Sequence, residues 1–192
     1  MSARRKPRLV AVEAPPVRLR IGIGSEEGFT NVEIQFAFDP ATPPGYEFGW
    51  RIKPLPYEDG MVDAIYSAFH FHRLPRACRF EFMNDAYRIL KPGSQLMIVV
   101  PHAHSFRAIS DPLAQWPPLC ESSFMVYSKT WREQEQMTGL PLTCDFGASY
   151  GYGHTTHPAL EGRNEEFVAH AKEHEVNWIL DLHVTLTKEP ER

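Results

Sequence analysis

Cysteine is scarce in this chain: three residues in 192. Cys78, Cys120 and Cys144 lie far apart and are odd in number, so neither a disulfide framework nor a CxxC metal pair can be read from them. Each reads as a small packing residue, and a reducing, cytoplasmic setting is the default expectation. Long apolar runs are missing too, and none approaches the roughly 20 residues of a membrane span. Ser2–Arg8 is basic, but no apolar signal-peptide core follows it. A large excess of one charge is also absent. The formal net charge of −4 gives no general attraction to nucleic acid or membrane. There is no P-loop, no GxSxG elbow, no HExxH pair, no internal repeat and no low-complexity tract.

What remains is an ordinary globular balance, 43% hydrophobic and 23% charged, enough for one full core. Residues 1–16 read as a frayed arm ending in Pro15-Pro16, and 17–192 as a single domain. Val17–Ile23 alternates and is the first expected strand. Asn31–Phe36 is the second, Arg51–Lys53 a weak third, and Met61–Ser67 the fourth, after the turn signal Glu58-Asp59-Gly60. Phe80–Leu90 is helical, with Phe82, Ala86, Ile89 and Leu90 on one face, and Lys91-Pro92-Gly93 is expected to stop it. Gln95–Val100 is the fifth strand. Beyond it, His102–Pro118 has no clear period. Glu121–Gln136 is a helix candidate with Ser122 as its cap. Thr143–Tyr152 suggests a strand with a tight loop, Asn164–Glu173 a polar helix, and Glu175–Thr187 a long closing strand. Strand, helix, turn and strand in this order predict a parallel, doubly wound sheet, whose ligands sit beyond the carboxyl ends of the strands.

Two glycines, Gly22 and Gly24, end the first strand, where glycine lets a ligand approach the backbone. A tight structural turn is the equally weighted alternative. A nicotinamide-binding unit needs a helix directly after such a loop. Only Ser25–Thr30 separates Gly24 from the second strand, so no helix fits, which argues against an ordinary dinucleotide fold.

The runs LPYEDGMVDAIYS at Leu55–Ser67 and AYRILKPGSQLMIVVP at Ala86–Pro101 resemble the second half of class I S-adenosylmethionine-dependent methyltransferases. The likeness is to the small methyltransferase-like proteins of bacteria and phages (methyltransferase type 11-like), and extends from about Leu19 onward. Gly28-Phe29-Thr30-Asn31-Val32-Glu33 matches that group's short connection. The resemblance implies an α/β, Rossmann-like fold of the seven-strand type, compact and lacking the helix between the first two strands. Its antiparallel C-terminal strand would lie at the sheet edge. It also implies S-adenosylmethionine as cofactor. Gly22 and Gly24 would pass the methionine part, Glu33 would hold the ribose hydroxyls, and Leu55, Pro56 and Tyr57 would flank adenine. Trp50 is a stacking candidate for adenine. Asp39 is a second ribose candidate, although Asp39-Pro40 also reads as a turn.

Three positions depart from the family pattern. Arg51 stands where an acidic residue usually approaches adenine, Phe71-His72-Arg73 replaces leucine-glutamate-histidine, and Ser94 replaces the second glycine after Lys91-Pro92. All three are expected near the cofactor edge, where they would alter or abolish cofactor binding. The acceptor is unidentified. Ser67-Ala68-Phe69 lacks the Pro-Pro-aromatic pattern of nucleobase amino methylation, and no Pro-Cys pair occurs. His72 and His102 are the general-base candidates. The pairs His70/His72, His102/His104 and His154/His157 lack converging partners, so no metal is expected. Asp111, Trp116 and Phe124 are candidates for shaping the acceptor pocket, with core packing the preferred reading for Phe124. The rival reading is a non-catalytic methyltransferase-like binding or assembly protein, with a homo-oligomeric or protein partner.

Overall fold

The computed structural model describes residues 15–22, 27–38, 50–154, 162–174 and 176–189. Its main sheet has six strands: β1 (Arg18–Gly22), β2 (Thr30–Val32), β5 (Val62–Ala68), β6 (Leu90–Pro101), β7 (Phe146–His154) and β8 (Ile179–Lys188). Their spatial order is β2-β1-β5-β6-β8-β7. The first four are mutually parallel, and β8 runs antiparallel to both β6 and β7. β3 (Phe36–Phe38) and β4 (Trp50–Ile52) form a separate antiparallel pair.

Several expectations are corrected here. The run NVEIQF is not one strand: β2 ends at Val32, and Phe36 begins β3. The third-strand candidate joins β3 and not the main sheet, which has six strands among the described residues. β5 and β6 occupy the centre, with β1 one place outside them. The edge beyond β6, opposite β1, belongs to β7, and the long closing strand β8 lies inside it. Among the described residues no helix lies between β1 and β2, and β2 is only three residues long.

Period-two alternation puts Leu19 and Ile21, Ile65, Leu96, Ile98 and Val100, and Leu182, Val184 and Leu186 on one face, level across the register. All are buried. Helix α1 (Arg76–Ile89) covers that face with Cys78, Phe82, Met83, Ala86 and Ile89. Burying a ring such as Phe82 stabilises the fold by about 1.5–3 kcal/mol. The expected apolar stripe of this helix is therefore present. Its stop differs: the helix ends at Ile89, and Lys91-Pro92-Gly93 runs within β6 as a register shift between Val62↔Leu90 and Ala64↔Gln95.

After β6 come α2 (Phe106–Ser110), α3 (Ser122–Met125) and α4 (Lys129–Gln134), then α5 (Glu165–His174) between β7 and β8. The single helix expected over Glu121–Gln136 is thus two short ones. Ser128, not Ser122, supplies a capping hydroxyl, to the Trp131 N–H. Among the described residues, no helix is long and apolar enough to cross a membrane.

Candidate functional site

Parallel register determines what meets at the carboxyl edge. Ile21 pairs with Val32, so Gly22 and Glu33 follow side by side at the ends of β1 and β2. Gly22 pairs with Ala68, and Ala68 with Val99. Gly22 has φ +117, and a Cβ there would meet the Ala68 carbonyl oxygen at 2.5 Å. Only glycine fits, and the demand comes first from the neighbouring strand. Glu33 is exposed just beyond β2, with its carboxylate facing solvent. Gly24 and Asp39 lie outside the described residues, as does the side chain of Trp50, whose backbone pairs with Phe38.

The loop leaving β5 makes a sharp turn. Phe69 takes φ +51, a strained conformation for a side-chain-bearing residue, and its N–H donates to Val99 O at 2.8 Å. Three buried polar atoms follow within this stretch: Ser67 Oγ, His70 Nε2 and His72 Nδ1. None has a hydrogen-bond partner among the described residues. The Cβ of His70 lies 3.3 Å from the point where a Gly22 Cβ would stand. Orphaned polar atoms of this kind are rare in native interiors and point to a missing polar partner.

Beside this loop a cavity of about 370 Å3 is lined by Phe69, His72, Arg73, Pro101, Arg107, Ser110 and Asp111. Asp111 organises it. Its Oδ2 accepts from Arg73 Nε at 2.8 Å and pairs with His72 Nε2 at 2.9 Å, while Oδ1 accepts from the Leu113 N–H at 2.9 Å. Burial works to raise the Asp111 pKa, but the Leu113 N–H, Arg73 and His72 pull it down to about 2. An ionised carboxylate requires a proton on His72 Nε2, which leaves the lone pair of the neutral ring on Nδ1. Burial lowers the pKa of His72 against the opposing pull of Asp111, and burial lowers that of His70. Arg107 is held by both oxygens of Asp181, at 3.0 and 3.1 Å.

These depressed histidines have a measurable consequence. Their neutral forms favour the folded state. Stability is therefore full above the unfolded histidine pKa, about 6.5, and is lost as pH falls through the lower folded values. The melting temperature should drop between pH 7.5 and pH 5. The His72→Gln variant should show a shallower drop, and an identical pH profile would remove His72 from this role.

The other sequence candidates are placed differently. His102 is 3% exposed, and both its ring nitrogens are engaged: Nε2 pairs with Glu121 Oε2 at 3.3 Å, and Nδ1 accepts from the His104 N–H at 3.1 Å. It does not line this cavity. Leu55 is 4% exposed within the core, and its N–H donates to Asp85 Oδ2 at 2.6 Å, so its side chain offers no ligand surface. Tyr57 is half-buried against the same core, and Arg88 donates to its carbonyl. Phe124 is core, and Trp116 is exposed.

The departures also move. Arg51 pairs with Glu81 of α1, which also accepts the Ile52 N–H, so this cation is committed to the helix. Ser94 lies at the amino end of β6, opposite the carboxyl edge. Only His72-Arg73 stands at the cavity. Sequence reasoning missed Arg107 and Ser110. Arg107 and Ser110 share an i, i+3 face of α2, but no period marks so short a helix in the sequence.

No family model matches the chain, and no curated protein matches it in sequence. Solved structures match it in shape. A SAM-dependent methyltransferase from Archaeoglobus fulgidus aligns with 90% of this chain and 86% of its own, at 16% identity and TM-score 0.53. The fold is that of the class I methyltransferases. A SAM-dependent methyltransferase from Thermotoga maritima aligns with 90% of this chain and 82% of its own, at 13% identity and TM-score 0.47.

The residues present suit S-adenosylmethionine. An exposed carboxylate stands beside Gly22, and orphaned polar atoms face inward from the next strand's loop.

Proposed function

We propose that this chain transfers a methyl group from S-adenosylmethionine to an unidentified acceptor bound in the cavity between Arg73 and Arg107. The observation that carries this reading is the row of Glu33, Gly22 and Ala68 across the carboxyl edge, with the His72–Asp111 pair beyond it. When bound, the cofactor supplies an electrophilic methyl group on sulfur. Glu33 accepts hydrogen bonds from the ribose hydroxyls. Gly22 leaves the backbone open beside the methionine end. Asp111 fixes His72 with its proton on Nε2, so that Nδ1 is the atom able to take a proton if the acceptor must lose one. The protein otherwise contributes position and exclusion of water.

Because Arg51 is paired with Glu81 and Ser94 lies toward the amino end of β6, the case for a degenerate cofactor site is weaker than the sequence suggested. Calorimetric titration with S-adenosylmethionine should give a dissociation constant in the micromolar range, about −7 to −8 kcal/mol. Glu33→Ala should weaken it by about 1.5–3 kcal/mol through lost charged hydrogen bonds. No binding at millimolar cofactor would overturn the reading.

One observation favours the second reading, a non-catalytic binding or assembly protein. Phe106, Ile109, Leu113 and Trp116 are 62%, 64%, 60% and 79% exposed within one short segment. Clustered exposed apolar side chains mark interaction surfaces. The same titration decides between the two.

A further inference from the structure

An apolar recess lies away from the carboxyl-edge row, between the first turns of α1 and the segment that carries α3 and α4. It has a volume of about 530 Å3, within the range of drug-sized ligand pockets. Its walls include Phe80, Val126, Tyr127, Trp131, Met137 and Leu140. Three aromatic rings and a methionine in one recess make a surface for a flat or extended apolar body.

Among the described residues that line it, the two charged ones are arginines. Arg76 and Arg79 share the face of α1 that lines the recess, with Phe80 in the next position on the same stripe. The helix begins after Pro75, with no side-chain cap and no acidic residue in its first turn. Arginines at the positive end of a helix are the reverse of what the helix dipole favours. Arg79 is 5% exposed, and its guanidinium is held by carbonyl oxygens: Leu74 O and His72 O at 2.9 Å and Gln115 O at 3.3 Å. Arg76, Arg79 and Tyr127 all line the recess. An anion at the mouth of the recess would lie beside a helix N-terminus and the exposed Arg76 side chain.

We propose that this recess binds a small hydrophobic carboxylate, its apolar body between Phe80, Tyr127 and Trp131 and its carboxylate at Arg76. Specificity would come from pairing shape with charge: the apolar walls accept the body, and the cationic rim rejects neutral analogues. The site does not depend on the methyltransferase reading, because none of the residues given a role in methyl transfer lines it.

The test uses the full chain and two probes of nearly equal shape, 1-naphthoate and uncharged 1-naphthamide, each titrated calorimetrically. Naphthoate should bind about tenfold more tightly than the amide, the effect of one charge-assisted contact. Arg76→Gln should remove most of that preference while leaving amide affinity within about twofold. Val126→Trp, which fills the recess, should reduce binding of both probes by at least about tenfold. If Val126→Trp does not fold, the exposed Arg76 position still decides. Equal affinity for the two probes, an unchanged preference in Arg76→Gln, or no naphthoate binding at millimolar concentration would overturn the proposal.

Discussion

Replacing Gly22 by alanine is expected to lower the unfolding free energy by about 3–5 kcal/mol, the sum of a forbidden backbone conformation and a steric clash. The new methyl group would sit 2.5 Å from Ala68 O, a backbone atom that moves only if β1 and β5 separate at their carboxyl ends. The positive φ adds strain even after such a shift. At about 2–4 °C per kcal/mol for a protein of this size, the melting temperature should fall by about 10 °C or more. A melting point within 2 °C of the parent, with S-adenosylmethionine affinity intact, would contradict this close approach.

The next largest effect is expected at Asp111. Asp111→Ala leaves Arg73 and the nearly buried His72 without their shared acceptor, and should cost about 2–4 kcal/mol. The acid limb supplies an independent check. The carboxyl pKa falls from 3.8 to about 2 on folding. Its contribution, about 2 kcal/mol, is complete above the unfolded value and lost as pH falls through the folded one. The parent should therefore lose stability between about pH 4 and pH 2 more steeply than the alanine variant. Asp111→Asn keeps the shape and removes the charge that sets the His72 tautomer. If the proposed activity is present, turnover should fall by about a hundredfold, the usual scale of general-base assistance. Parallel acid limbs in parent and variant would show that Asp111 carries no such linkage.

Local features were legible in the sequence where a period or a turn residue carried them. The stripe Phe82, Ala86, Ile89 follows from helical spacing alone, and the closing strand from alternation. Alternation assigns faces but not neighbours, which is why the long closing strand was read as an edge although β7 lies outside it. The departures at Arg51 and Ser94 could be listed but not placed. The partner of Arg51 is 30 residues away on a helix face, and a distance of that kind has no local signature. His102 looked free for the same reason, since Glu121 and Tyr152 reach it from other elements. Asp111 was readable as a pocket residue, but its hold on His72 and Arg73 appears only once β5, β6 and α2 converge.

The insertion of β8 between β6 and β7 also dictates an order of events during synthesis. β6 can join β5 early, yet its other side stays open until a strand much later in the chain arrives. Lys188, whose ammonium group rests on the carbonyls of Tyr87 and Leu90, stands 98 residues beyond Leu90. Until then the run Leu96–Val100 presents an uncovered, uncharged β-edge of the kind that recruits other chains. Closing so long a loop is slow relative to local helix formation. A chain stalled or cut before β8 would therefore carry both a ready-made aggregation seed and the signal by which quality-control machinery recognises unfinished proteins.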